Sequence, residues 1–149
     1  MYCTKTDDMK VRQRMLRIAA VIVFLHAAFH SIGAFTWKQA PDTAVAKLID
    51  GMFTQTFSFG GKTVSLGLFY EGYGISMIFM LLLIAVLLWL FSSDMNHPSA
   101  KKSIITISLT LLALSITEWI YFFPAPAAFS LAAGLLAMIA VIRDKEILQ

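Results

Sequence analysis

The chain has 149 residues, 58% of them hydrophobic and only 14% charged, with a mean hydropathy of +0.75. A soluble domain is nearer half apolar and a quarter charged, so this composition excludes an ordinary globular fold and indicates a membrane protein. The net charge of +3 comes largely from Lys5, Lys10, Arg12, Arg14 and Arg17, beside the first apolar run. There it reads as a positive-inside signal rather than a nucleic-acid footprint.

Residues 1–14 are polar and read as a surface arm that can extend the first helix inward. Cys3 is the single cysteine, which excludes an internal disulfide, and no specific motif around it signals lipidation. The first span covers residues 18–37 and ends on Trp37, an interfacial anchor. A cleaved signal peptide is the competing reading of this region. The two histidines in the run and the lack of a small-residue cleavage site favour a retained span.

His26 and His30 stand four residues apart on one helical face, and Gly33 shares that face, where it would let a neighbouring helix approach. An ionisable side chain inside a bilayer is costly and marks a site with a partner.

Residues 38–65 form the outer loop. Pro41-Asp42 reads as a helix start, and Ala44, Val45, Leu48, Ile49 and Met52 follow helical spacing opposite Lys47 and Asp50. This predicts a short amphipathic helix on the outer membrane surface or over the mouth of the bundle. Residues 56–64 alternate around Gly60-Gly61, which permits a small hairpin, with an irregular loop as the alternative.

The second span covers 66–91, with Ser65 as its N-cap and Gly67, Glu71 and Gly74 on one face, flanked by Tyr70 and Tyr73. His97, beside Pro98, reads as a solvated loop histidine. The third span, 104–123, carries Ser108, Ser115 and Glu118 on one face, with Trp119 and Tyr121 at its outer end. Pro124 and Pro126 make a tight turn into the fourth span, 124–142, where Ser130, Gly134 and Met138 line up for close packing.

The expected fold is thus all-α, a four-helix transmembrane bundle in one domain with a structured outer loop. Lys101, Lys102, Arg143 and Lys145 join the basic arm on one side, whereas Lys38, Lys47 and Lys62 fall on the other. Both termini are therefore expected in the cytoplasm.

Glu71 lies five residues inside the start of its span and Glu118 five residues inside the end of its own, close to the depth of His30. Three readings follow. His26, His30, Glu71 and Glu118 are candidate ligands for Zn, Fe or Mn. The same groups can handle protons as acid and base in an enzyme or carrier acting on a lipid, isoprenoid or quinone. Tyr70, Tyr73 and Trp119 are the candidate contacts for such a lipophilic ligand. In the third reading the groups only fix helix register, and the outer loop contacts a partner. A haem with two axial histidines fits poorly, because His26 and His30 project from one helix. Lipid, a second copy of the chain or another membrane protein are the expected partners, and nucleic acid is not.

His26-x3-His30, Gly33, Phe35-Thr36-Trp37 and Phe69-Tyr70-Glu71-Gly72-Tyr73-Gly74 together resemble a family of small four-helix bacterial membrane proteins. The resemblance implies that fold and a bacterial inner-membrane location, and it implies no activity.

Overall fold

The computed structural model describes residues 2–39 and 42–143, with side chains from Asp7 onward. Pro41, Lys145 and the side chains of Cys3 and Lys5 lie outside the described residues. The elements run α1 (Tyr2–Thr36), α2 (Thr43–Thr54), β1 (Thr56–Phe59), β2 (Lys62–Ser65), α3 (Leu66–Ser93), α4 (Pro98–Tyr121) and α5 (Pro124–Ile142). The class is all-α, and α1, α3, α4 and α5 are each long and apolar enough to cross a membrane.

Two of these helices start earlier than hydropathy alone predicts. The basic arm continues α1 back to Tyr2, since Lys, Arg, Gln and Met favour helix and no Gly or Pro precedes Gly33. In α4 the helix begins at Pro98, six residues ahead of the apolar run. His97 is its N-cap and accepts from the Ser99 amide at 3.3 Å, so this exposed histidine also starts the helix. Proline at the first helical position requires no amide partner and is pre-set in φ.

The chain divides into two compact units, one made of residues up to His26 and from Leu81 on, the other of Ala27–Met80.

In the first unit α4 and α5 form a helical hairpin. Phe122 still donates its amide to the Glu118 carbonyl at 2.9 Å, and Pro124 then opens α5. The buried stripe of α4 is Ile104, Ser108, Leu111, Ser115 and Glu118, with alternating steps of four and three. The facing stripe of α5 is mostly small, including Ala127, Ser130, Ala133, Gly134 and Ala137. A Cβ on Gly134 would stand 3.1 Å from the Leu112 side chain, so the glycine sets how closely these helices approach. Leu16, Ala19 and Val23 of α1 and Leu81, Ala85 and Leu88 of α3 complete the core of this unit.

One end of this unit is tied by arginines. Arg12 is only 5% exposed and donates from Nε to the Ala140 carbonyl at 2.8 Å. That carbonyl is among the last four of α5, which lack intrahelical partners. Arg17 donates to the Ser92 hydroxyl at 3.2 Å near the end of α3, and its guanidinium lies 5.5 Å from the Trp89 ring centroid. Arg143 pairs with Asp8 at 3.4 Å. The start of α1 therefore meets the ends of α3 and α5.

The second unit holds the rest of α1, α2, the hairpin and the first part of α3. Asp42 caps α2 by accepting from the Val45 amide at 2.8 Å. Strands β1 and β2 pair antiparallel with Thr56 opposite Ser65 and Phe59 opposite Lys62. Gly60 and Gly61 take φ of +59° and +78°, the left-handed pair that a two-residue hairpin turn requires. Ser65 then caps α3, accepting from the Leu68 amide at 3.3 Å. The Phe53 ring seats directly on Gly67, where a Cβ would fall 2.8 Å from ring carbons. Trp37 lies between Phe53 and Tyr70, at centroid distances of 5.8 and 4.6 Å. Gly33 is different from what its spacing predicts: a Cβ there would meet open space.

Candidate functional site

A histidine, a glutamate and a serine, all buried within the apolar helices, meet in the first unit. His26 is 3% exposed, Glu118 5% and Ser130 0%. His26 comes from α1, Glu118 from the polar stripe of α4 and Ser130 from the small-residue stripe of α5. Ala127 and Ala133, on either side of Ser130, leave room for a ring on that face. The imidazole fills it, engaged from both sides. Its Nε2 stands 3.4 Å from Oε1 of Glu118, and its Nδ1 3.3 Å from Oγ of Ser130. Ser130 also approaches the Glu118 carboxyl. The Phe129 ring stacks on the imidazole at 5.8 Å and 22°.

The rest of the α4 stripe does not take part. Ser108 donates to the Ile104 carbonyl and Ser115 to that of Leu112, so both hydroxyls are satisfied within their own helix. Thr117 does the same with Leu114. Glu118 is the polar residue of this stripe that reaches across to another helix. Its Oε2 is buried with no hydrogen-bond partner, and among the described residues its ionisable neighbour is the imidazole alone.

This arrangement has a definite protonation logic. A lone carboxylate or imidazolium in so dry a place carries a large desolvation cost. A single proton held between Oε1 and Nε2 leaves the pair with no net charge whichever atom carries it. In both of these forms Nδ1 is protonated and donates to Ser130, and if the pair gives up a proton to carry one negative charge the serine hydroxyl turns to donate to the bare Nδ1.

His30 and Glu71 belong to the second unit and have other partners there. Nε2 of His30 lies 3.2 Å from the Gly74 carbonyl. Glu71 forms an ion pair with Lys38, which also sits 5.3 Å from the Phe53 ring centroid. The two charges are 28% and 48% exposed, as expected for a lysine reaching from a helix end toward the interface. Among the described residues no group of three or more His, Cys, Asp or Glu side chains is placed to hold a metal ion. The four-residue centre for Zn, Fe or Mn expected from His26, His30, Glu71 and Glu118 is thus without support.

The candidate lipophilic contacts are placed as follows. Tyr73 is 74% exposed and, with Phe69, Val64 and Leu68, lines an open apolar groove of about 310 Å³ in the second unit. Tyr70 packs on Trp37 instead, and Trp119 is 67% exposed on α4.

Sequence reasoning missed three participants: Ser130, Lys38 and Arg12. Ser130 was visible in a stripe of small residues, but nothing in its spacing distinguishes a hydroxyl that bonds an imidazole from one that bonds its own helix. Lys38 follows Trp37 at the end of α1, within side-chain reach of the first turns of a neighbouring span. Arg12 stood in a basic run whose members look alike until one of them is buried.

Searches against protein-family models, curated proteins and solved structures return no match, so the functional reading rests on geometry.

Proposed function

We propose that this is a small multi-pass membrane protein that holds one exchangeable proton in a buried His26–Glu118–Ser130 network. The network joins α1 to the α4–α5 hairpin and holds their packing through each protonation state. The observation that carries this is the double engagement of His26, with Glu118 at one ring nitrogen and Ser130 at the other. In the first state Glu118 is a carboxylic acid donating to Nε2. In the second its proton has moved to Nε2, giving a carboxylate and an imidazolium whose Nδ1–H donates to Ser130. Loss of the Nδ1 proton, with Nε2–H kept on the carboxylate, leaves carboxylate, neutral imidazole and a serine donating to Nδ1. Each state keeps every contact, so the site exchanges a proton without unfolding the packing around it.

Serine, histidine and glutamate are also the components of a hydrolase triad, but the surroundings disfavour that use. Ser130 is fully buried in the middle of α5, where its backbone amide serves the helix and offers nothing to an oxyanion. An open apolar groove among the described residues of this unit, lined by Ala20, Val21, Phe24, Ala85, Val86 and Trp89, includes none of the three.

A bacterial inner membrane is the proposed location, with both termini in the cytoplasm. Support comes from Lys10, Arg14, Lys101, Lys102 and Arg143, which gather where α1 and α4 begin and α5 ends. The function is tested by infrared difference spectra across a pH jump, comparing the protein in nanodiscs with Glu118→Gln and His26→Leu. A carboxyl signal and an imidazole signal should change together and both disappear in Glu118→Gln. A carboxyl signal that survives His26→Leu unaltered contradicts the proposal.

A further inference from the structure

The outer segment of the second unit carries a second functional surface. Helix α2 has twelve residues and no buried one. At about 18 Å it is too short to cross a hydrocarbon core of about 30 Å. Its position is nevertheless fixed. Phe53 seats on Gly67 in the first turn of α3, and the same ring stacks with Trp37, just past the end of α1. The end of one span and the start of another therefore hold α2 at their own level, which is the membrane–water boundary.

At 100° per residue, Val45, Leu48 and Met52 fall on one face, Phe53 borders it on the protein side, and Lys47 and Asp50 fall opposite. Phe53 is taken up by Gly67 and Trp37. Val45 and Leu48 are not, at 38% and 66% exposed. An aliphatic pair left bare on a helix pinned at the boundary is placed to meet the apolar edge of the bilayer.

We infer that α2 is an interfacial helix whose Val45–Leu48 edge is immersed in the headgroup–acyl boundary of the same bilayer. Charge does not drive this contact. Lys47 and Asp50 cancel on the polar face, and Asp42 is engaged as the N-cap. The partner is therefore the lipid surface as such rather than an anionic headgroup. The helix restrains the hairpin and the mouth of α3, so a change of lipid packing at the boundary reaches the second unit directly.

The sole cysteine makes the test direct. In a Cys3→Ser background, Val45→Cys, Leu48→Cys, Lys47→Cys and Asp50→Cys are each labelled with an environment-sensitive fluorophore. The full chain is reconstituted in phosphatidylcholine vesicles with and without nitroxide-bearing lipid. All four sites are exposed and none belongs to a buried core, so the substitutions leave the fold intact. Labels at 45 and 48 should be blue-shifted and quenched by nitroxide lipid several-fold more than labels at 47 and 50. The contrast should be unchanged when phosphatidylglycerol is added. Water-exposed labels at all four positions would overturn the inference. So would labels at 45 and 48 that are shielded from water yet untouched by lipid nitroxide, since another protein surface would then cover the helix. A contrast that emerges only with phosphatidylglycerol would overturn the claim of charge independence.

Discussion

Replacing His26 with leucine is the sharpest perturbation of the buried network, because volume is nearly kept and only polarity and stacking are lost. In the protein, Oε1 of Glu118 has Nε2 at 3.4 Å and Oε2 has nothing. The substitution takes the imidazole from the carboxyl and leaves Ser130 as its polar neighbour in an apolar interior, at a cost of about 1–3 kcal/mol. Loss of the stacking with Phe129 adds about 0.5–1.5 kcal/mol. The single variant should therefore be destabilised by roughly 2–4 kcal/mol. Glu118→Leu loses the same interhelical contact, of the order of 0.6–1.7 kcal/mol in membrane helices, but it also removes the orphaned Oε2. Its net cost should be near or below about 1.5 kcal/mol. The double variant keeps only the Ser130 hydroxyl, which can turn to a carbonyl of its own helix, and should sit close to the parent. The assay is reversible unfolding in mixed micelles followed by helical circular dichroism, with the four proteins closing a double-mutant cycle. Equal costs for the two single variants, with a double variant equal to their sum, would refute the network.

Arg12→Met strips the cap from the Ala140 carbonyl and should cost about 1–3 kcal/mol, read as faster amide exchange confined to the last turn of α5. Gly67→Ala drives a methyl into the Phe53 ring, so Trp37 fluorescence should shift as the ring is expelled, and Phe53→Ala in the same chain should restore the fold. Gly60→Ala or Gly61→Ala forces an L-residue into left-handed φ and should cost about 1–2 kcal/mol each, seen as lost protection of the β1–β2 amides, while α3 and α4 are unaffected. Elemental analysis of the purified protein should find no stoichiometric Zn, Fe or Mn that depends on both His26 and His30.

The helices were legible because the bilayer demands long apolar runs, and the α4–α5 turn because two prolines sit where no charge intervenes. Cap chemistry was legible too. Asp42 and Ser65 carry the hydroxyl or carboxyl that an N-terminus needs, and both perform that role. The polar arm was readable as an inward extension of α1, but the early start of α4 was not, since hydropathy locates lipid contact and is silent about polar residues that continue a helix into water. His26 and Glu118 were recognisable as ionisable groups in apolar spans. Their depth put His30 and Glu71 beside them on paper, but depth along helix axes says nothing about which faces meet. Lys38 illustrates the limit. A lysine at a helix end carries no mark of the carboxylate it will reach, so the ion pair with Glu71 emerges only when the second unit is folded. Gly33 shows the converse, a small residue at suggestive spacing that meets open space.

The most direct test of the buried proton is nuclear magnetic resonance on the protein in lipid nanodiscs, with 15N-labelled histidine and 13C-labelled glutamate. His30→Gln and His97→Asn assign the remaining ring signals to His26. As pH is varied, the His26 nitrogens and the Glu118 carboxyl carbon should change in one common step, and Ser130→Ala should shift the balance between the Nδ1 and Nε2 protonated forms. Independent titration of the two groups, or a His26 ring indifferent to Ser130→Ala, would contradict a proton held in common.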